Sequence, residues 1–248
     1  MPSYQDKLYN EKIISTVYSF DTNSDKSIIV CSDETSNKSP YLYQNGKFEK
    51  LSINGTIIKV RFVDNEKVIF GLLSNEIVLY DINKKHEIYR TKVSESSFAD
   101  MQLDHSKRKL AVGVESGILY VLDVLSGNII ETIDNINKDK SFRVDINGNL
   151  IFSANQDGSA RIFDINKKIY KEFNTHFLVY SGAISPNNDK IIFSINEKNE
   201  FVVLDMLNLD RGYLLSGQKS TPNIALFVGD NIIYTSSNDE NIMMWKIP

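Results

Sequence analysis

Residues 153–165 read SANQDGSARIFDI, and residues 235–247 read TSSNDENIMMWKI. The two stretches share a small hydroxyl residue, an aspartate and an aromatic anchor, in the same order and at the same spacing. These pairs are Ser153 with Thr235, Asp157 with Asp239, and Phe163 with Trp245. The first stretch alone resembles a catalytic loop, since it places a Gly and an Arg between two carboxylates. Its recurrence 82 residues later indicates a structural element instead.

The same frame fits three further segments, LSNEIVLYDI, ESGILYVLDV and EKNEFVVLDM. The five anchors are Tyr80, Leu122, Phe163, Leu204 and Trp245, which follow one another at intervals of 42, 41, 41 and 41 residues. A more divergent copy ends at Tyr43, and the word DINKK occurs at both 81–85 and 164–168. Six units of about 41 residues therefore account for the 248 residues of the chain.

Each unit consists of short apolar segments separated by polar turns. In residues 184–205, ISPNNDKIIFSINEKNEFVVLD, two segments rich in Ile, Val and Phe alternate with turns of Asn, Asp and Ser. Such segments favour strands, and such turns favour hairpins. No long window has the spacing of an amphipathic helix. The sequence therefore predicts an all-β protein.

A period near 41 residues with four strands per unit resembles the WD40-repeat β-propeller family. The segments AISPNNDKIIFS (183–194) and NDENIMMWKI (238–247) carry this resemblance. Only one unit has the Trp of the family's Trp-Asp pair, and Lys246 replaces the Asp that follows it. The Asp is kept in four other units, as Asp81, Asp123, Asp164 and Asp205. The resemblance implies a six-bladed WD40-like propeller that forms a single domain over residues 1–248.

The last unit ends directly after its third strand, at residues 245–248. The segment KLYNEKIIS (7–15) is an additional strand-like segment before the first unit. We expect it to supply the outermost strand of the last blade, because such a strand leaves no exposed edge. Removal of residues 1–14 should then destabilise the whole ring.

The resemblance also implies roles for several polar residues. In the WD40 family, an Asp in the turn between the second and third strands bonds with a His, a Ser or Thr, and the Trp. Asp157 and Asp239 occupy that turn, and His176 lies about where the family's His precedes the innermost strand. Ser153 and Thr235 take the hydroxyl position, beside Trp245. We interpret these residues as structural; the alternative for His176 is an exposed ring in a partner site.

Composition limits the other possibilities. The net charge of −4 gives no overall support for nucleic-acid binding. The single cysteine, Cys31, excludes an internal disulfide and a cysteine-based zinc cluster. DTNSDK (21–26) and DINGN (145–149) resemble short calcium loops, but the first lacks the required Gly and Glu. We therefore expect no metal and no cofactor.

No Gly-x-Ser-x-Gly motif is present, and no run of about 18 apolar residues could span a membrane. The first residues lack the apolar core of a signal peptide. The expected location is cytoplasmic, or periplasmic if a signal peptide precedes this numbering. In size and sparing use of Trp, the chain also resembles secreted WD-repeat accessory proteins of periplasmic nitrate-reductase systems.

The expected function is that of a non-catalytic scaffold, a monomer or part of a complex, that binds a protein or peptide at one rim. The candidate residues lie in loops that the fold brings to that rim: Thr35, Asn37 and Lys38 in the long loop 32–40, with Gln156, His176, Phe177 and Lys219. Phe142, Phe177 and Tyr180 also lie in these loops and could contact a partner. The alternative is a structural role, in which Phe142 and Phe177 pack between blades.

The other rim carries the DINKK turns and SKRK (106–109), which we interpret as solvated. The alternative function is that of an enzyme or small-ligand binder that uses the central channel. Arg61, Asp100 and Arg143 are its polar candidates, and the simpler interpretation is that they are solvated channel residues.

Overall fold

The computed structural model describes residues 17–25, 27–32, 39–239 and 241–248. These residues form 23 strands and, within the described ranges, no helix. The all-β prediction is confirmed. No helix in this part of the chain is long and apolar enough to cross a membrane. The proposed closing strand 7–15 and loop residues Thr35, Asn37 and Lys38 lie outside the described residues.

The strands form six antiparallel sheets, or blades, in chain order. Blade 1 contains β1 (Val17–Thr22), β2 (Ile28–Ser32), β3 (Ser39–Gln44) and β4 (Lys47–Lys50). Blade 2 contains β5 (Ile57–Phe62), β6 (Lys67–Leu72), β7 (Glu76–Asp81) and β8 (His86–Lys92). Blade 3 contains β9 (Phe98–Leu103), β10 (Lys109–Val114), β11 (Leu119–Asp123) and β12 (Ile129–Ile133).

Blade 4 contains β13 (Ser141–Asn147), β14 (Leu150–Asn155), β15 (Ser159–Asp164) and β16 (Ile169–Asn174). Blade 5 contains β17 (Gly182–Ile184), β18 (Lys190–Ser194), β19 (Phe201–Asp205) and β20 (Gly212–Leu215). Blade 6 contains three described strands, β21 (Pro222–Phe227), β22 (Ile232–Ser237) and β23 (Ile242–Lys246). The six blades are those predicted from the six sequence anchors.

The recurring word DINKK forms the turn between the third and fourth strands of its blade. Asp81 Oδ1 accepts hydrogen bonds from the backbone N–H groups of Asn83 and Lys84, at 3.0 and 2.8 Å. Asp164 holds the second copy in the same way. A carboxylate that bonds to the backbone two and three residues ahead stabilises a turn locally, which explains why the word recurs.

The core is divided into five apolar clusters, each made by two successive blades. Close contact between blades constrains single side chains. At Gly182 on the inner strand of blade 5, an added Cβ would lie 2.4 Å from the ring of Phe152 in blade 4. Only glycine therefore lets that ring pack against the strand.

Polar side chains also link the inner strands of neighbouring blades. In each link, a side chain on or directly before one inner strand accepts a hydrogen bond from a backbone N–H of the next inner strand. The links are Phe62 N to Asp21 at 2.7 Å, Val144 N to Asp100 at 3.1 Å, Ile184 N to Asp145 at 2.8 Å, and Ala225 N to Ser181 at 2.9 Å. The blades are thus held together by apolar packing and by these bonds around the channel.

Candidate binding surface

The two ends of the propeller carry different loops. Because successive strands in a blade are antiparallel, the loops between second and third strands lie at the same end as the loops that lead into the inner strands. We call this end the upper rim. The opposite end, the lower rim, carries the DINKK turns and the first hairpin of each blade.

In blade 4 the upper rim is fixed by Asp157. Its carboxylate accepts hydrogen bonds from the backbone N–H groups of Lys138 and Ser159, at 2.9 and 3.1 Å, and from the Ser159 hydroxyl. It also pairs with Arg161 Nη1 at 2.7 Å. Burial raises the pKa of Asp157, but the bonds from Ser159, Lys138 and Arg161 outweigh burial and hold the pKa below its usual value.

Arg161 lies beneath this turn with its side chain only 2% exposed. Besides Asp157, it pairs with Glu172 at 2.7 Å and donates to Asn137 Oδ1 at 3.3 Å. Ser153 donates to the same Asn137 oxygen at 3.1 Å. A buried guanidinium with several acceptors keeps this part of the rim rigid.

Blade 6 builds the corresponding network with different residues. Thr235 Oγ1 accepts from the Trp245 indole N–H at 2.9 Å and from Gln218 Nε2 at 2.6 Å. Asp239 accepts from the backbone N–H of Lys219 at 2.7 Å. Gln218 thus lies before the innermost strand of blade 6, about where the family resemblance places a His, and donates to the Thr235 hydroxyl oxygen.

Sequence analysis missed both Gln218 and Asn137. They lie 81 residues apart, each four residues before the inner strand of its blade. Because both residues occupy the same position of the repeat, an alignment of the units with one another could have identified them. A search for His alone overlooks them, because an amide can make the same hydrogen bonds.

The expectation that the His176 ring joins such a network is wrong. His176 is exposed, and it lies in a tight turn with a φ of 56°. Its backbone N–H donates to Asn174 Oδ1 at 2.9 Å, whereas its ring makes no hydrogen bond to any described residue. The alternative, an exposed ring on the upper rim, is the arrangement that the structure shows.

Three half-buried aromatic residues lie beside His176. The rings of Phe142 and Tyr180 stack with centroids 5.5 Å apart, and Phe177 meets Tyr180 edge-on at 6.2 Å. Phe142 belongs to blade 4 and the other two lead into blade 5, so the aromatic cluster spans two blades. Phe142 therefore packs across the junction, as its alternative interpretation proposed, and remains partly open to solvent.

Gln156 lies next to the aromatic cluster. Its side chain is exposed, and its backbone N–H donates to the carbonyl of Lys140 at 2.9 Å. Two residues further on, the Gly158 carbonyl accepts from the backbone N–H of Thr175 at 2.9 Å, which ties this loop to the His176 turn. The structure thus brings Gln156, His176 and Phe177 into one area of the upper rim.

Lys219 lies on the same rim, on blade 6. Its backbone bond to Asp239 repeats the bond between Lys138 and Asp157 in blade 4. Both lysine side chains are exposed. The rim therefore presents two cations on fixed backbones, of which sequence analysis identified only Lys219.

The central channel differs from expectation at Asp100. This carboxylate is fully buried rather than solvated. It pairs with Lys59 Nζ at 2.8 Å and with Arg143 Nη1 at 3.5 Å. Burial opposes its ionisation, but Lys59, Arg143 and Arg61 together hold the pKa of Asp100 below its usual value. The charged groups at this level thus stabilise one another between blades.

Lower-rim lysines also contact neighbouring blades. Lys85 pairs with Glu49, and Lys168, at the same place in its DINKK turn, pairs with Glu131. In SKRK, the Lys107 ammonium donates to the carbonyl of Phe62 at 3.0 Å. These side chains are exposed but not purely solvated. Within the described residues, no group of three or more His, Cys, Asp or Glu could hold a metal ion.

Comparisons with known proteins identify the fold. No family model matches the chain. The C-terminal WD40 domain of Sif2 superposes with a TM-score of 0.74 and 16% identity, over 94% of this chain and 70% of that one. The computationally designed Ika8 protein gives a TM-score of 0.74 and 14% identity, over 94% and 71%.

Among curated proteins, the ribosome biogenesis protein YTM1 of Kluyveromyces lactis is 22% identical over 152 residues. The match covers 56% of this chain and 34% of YTM1, so the chain spans about a third of that relative's length. From the sheets and these superpositions, the chain has a β-propeller fold like that of the Sif2 WD40 domain.

Proposed function

We propose that the protein is a non-catalytic scaffold that binds a protein or peptide on the upper rim of blades 4 to 6. The observation that carries this proposal is the aromatic cluster of Phe142, Phe177 and Tyr180. Partly exposed aromatic rings surrounded by polar side chains are typical of the centres of protein interfaces.

The rest of the surface supports the same role. Gln156 and His176 flank the cluster with exposed polar groups, and Lys138 and Lys219 add cations that suit carboxylates on a partner. The backbone beneath them is held by Asp157 and Asp239. Because the backbone is already rigid, little conformational entropy is lost when a partner binds. This arrangement suits a binding surface.

The test is affinity capture from native lysate with the wild-type chain and matched variants, followed by quantitative mass spectrometry. In the rim variant, His176 and Phe177 are replaced by Ala. The control variant neutralises Lys107, Arg108 and Lys109 on the lower rim. We expect the same captured protein to be lost by the rim variant and kept by the control.

A third variant replaces loop 32–40 with a short Gly-Asn turn, and we expect it to lose the captured protein as well if the long loop of blade 1 belongs to the same site. Loss of the captured protein in the lower-rim control, with retention in the rim variant, would contradict the proposal. That result would move the site to the basic SKRK segment and favour an acidic or nucleic-acid partner.

A further inference from the structure

The central channel contains a cavity of about 810 Å³, which residues from the inner strands of all six blades line. Sites for small ligands commonly have volumes of about 300–1,000 Å³. They combine apolar walls with a few polar groups that hold one end of the ligand. The walls of this cavity are divided in the same way, between cations on one side and apolar side chains on the other.

Four cations line the cavity on the side of blades 2 to 4, namely Lys59, Arg61, Lys107 and Arg143. Two of them have acidic partners, because Lys59 and Arg143 pair with Asp100, which is fully buried. Arg143 Nη2 also donates to the carbonyl of Asn223 in blade 6, at 2.8 Å. Lys59 and Arg143 are thus held in place by the protein itself.

The other two cations, Arg61 and Lys107, bond only to neutral acceptors among the described residues. Arg61 Nε donates to Gln102 Oε1 at 2.6 Å, and its Nη1 donates to the Val60 carbonyl at 2.7 Å. The Lys107 ammonium donates to the Phe62 carbonyl at 3.0 Å. A guanidinium has five N–H donors and an ammonium three, so both cations keep donors for a further acceptor.

Three carboxylates also line the cavity, but each is bonded to the protein. Asp104 accepts hydrogen bonds from three groups of its own turn, Asp145 from two backbone N–H groups, and Asp21 from one. Burial lowers the pKa of Lys107, and the charge of Arg61 adds to this fall. Asp21 and Asp104 oppose the fall without reversing it, so the cations favour an additional anion.

Blades 6 and 1 line the cavity with apolar side chains. On β21, Ile224 and Leu226 are 39% and 40% exposed, and Phe20 on β1 is 63% exposed. Ala225 packs into the core shared with blade 5, so its two neighbours lie on the opposite face of the strand. Contact with an apolar ligand would remove these side chains from water, which is favourable.

We propose that the central channel binds a small organic anion whose carboxylate or phosphate group contacts Arg61 and Lys107 and whose apolar part lies against Leu226 and Phe20. Guanidinium and ammonium groups form strong hydrogen bonds with both kinds of oxyanion. The volume admits a small molecule and excludes a folded partner. This site is independent of the upper-rim surface, since Gln156, His176, Phe177 and Lys219 do not line the cavity.

The experiment is isothermal titration calorimetry on the full chain with probes that separate the two parts of the ligand. Octanoate and octyl phosphate carry an oxyanion on an apolar chain. Octan-1-ol has the chain without the charge, and acetate and inorganic phosphate have the charge without the chain. We expect one-to-one binding of octanoate, octyl phosphate or both, and binding of the other three weaker by about tenfold or more. The tighter of the two octyl probes identifies the oxyanion.

The site variant combines Arg61→Gln with Lys107→Gln and should weaken binding of the octyl probe by about tenfold or more. The matched control combines Lys171→Gln with Arg211→Gln, which removes the same charge from exposed positions outside the cavity and should leave binding unchanged. Leu226→Ser tests the apolar wall and should weaken the octyl probes while leaving acetate and inorganic phosphate unaffected.

The melting temperature of each variant shows whether it folds. If the double variant does not fold, Lys107→Gln alone decides, since Lys107 is exposed and bonds only to one carbonyl. The proposal is overturned if neither octyl probe binds, or if octan-1-ol binds as tightly as the charged probes. Unchanged binding in the folded site variant, or an equal loss in the control, would likewise place the anion elsewhere.

Discussion

Removal of the Asp157 carboxylate tests the network that fixes the upper rim. Asp157→Ala leaves the buried Arg161 guanidinium without one of its two carboxylates and leaves the Lys138 N–H without its acceptor. Breaking a buried ion pair by removing one partner costs about 3–5 kcal/mol. Glu172 still pairs with Arg161 from a position 38% exposed, so we expect the lower end, about 3 kcal/mol.

In a chain of this length, about 3 kcal/mol corresponds to a fall in melting temperature of about 6–12 °C. Urea unfolding followed by circular dichroism measures the free energy, and calorimetry measures the melting temperature. The matched control is Asp239→Ala in blade 6, where Met243 occupies the position of Arg161. Because no buried cation loses its partner there, the control should lose less stability.

The double variant Asp157→Ala with Arg161→Met tests the cause of the loss. It removes the stranded cation and supplies the side chain that blade 6 uses at that position. Its stability should exceed that of Asp157→Ala alone, since replacing both members of a buried pair costs less than breaking it. Unchanged stability in the single variant, or a double variant no more stable than it, would refute a buried network centred on Asp157.

Three further predictions follow from single contacts. Thr235→Val removes the acceptor of the Trp245 indole N–H and should lower the free energy of unfolding by about 1–3 kcal/mol, with a shift in Trp fluorescence; an unchanged spectrum would contradict the bond. Gly182→Ala places a Cβ 2.4 Å from the Phe152 ring and 2.5 Å from the Ile192 carbonyl oxygen, and should cost about 1–3 kcal/mol by urea unfolding; unchanged stability would contradict this close packing. Burial raises the pKa of Asp145 to about 6, so its contribution to stability is complete below about pH 4 and is lost as the pH rises through 6. The fall in the free energy of unfolding between pH 4 and 6 should be at most about 3 kcal/mol, and Asp145→Asn should abolish it. If the two proteins gave parallel curves of stability against pH from 4 to 8, Asp145 would not titrate as described.

Much of the upper rim follows from the repeat alone. The anchors Tyr80, Leu122, Phe163, Leu204 and Trp245 give the register, and the register assigns every turn to one end of a blade. Gln156, His176, Phe177 and Lys219 reach the upper rim for this reason, because alternation of antiparallel strands is a local property of the chain. The DINKK turns follow equally from local chemistry, since each Asp bonds to the backbone within three residues.

The residues that sequence analysis misjudged depend on contacts between blades. Asp100 looks like a solvated channel residue in its own strand, but Lys59 from blade 2 and Arg143 from blade 4 enclose it. The stacking of Tyr180 on Phe142 also joins two blades; sequence analysis placed both residues on this rim but did not predict that their rings meet. Such environments are set by residues about 40 positions away, which local composition does not reveal.

The sequence by itself determined that this protein is an all-β propeller of six repeating units, because hydrophobic alternation, turn residues and a period of about 41 are all written within each unit. Only the tertiary structure decided how the units meet. The hydrogen bonds between neighbouring inner strands and the ion pairs of the buried Asp100 form only when successive sheets pack side by side. Each of these contacts joins residues from two different units, so no single unit of sequence specifies it.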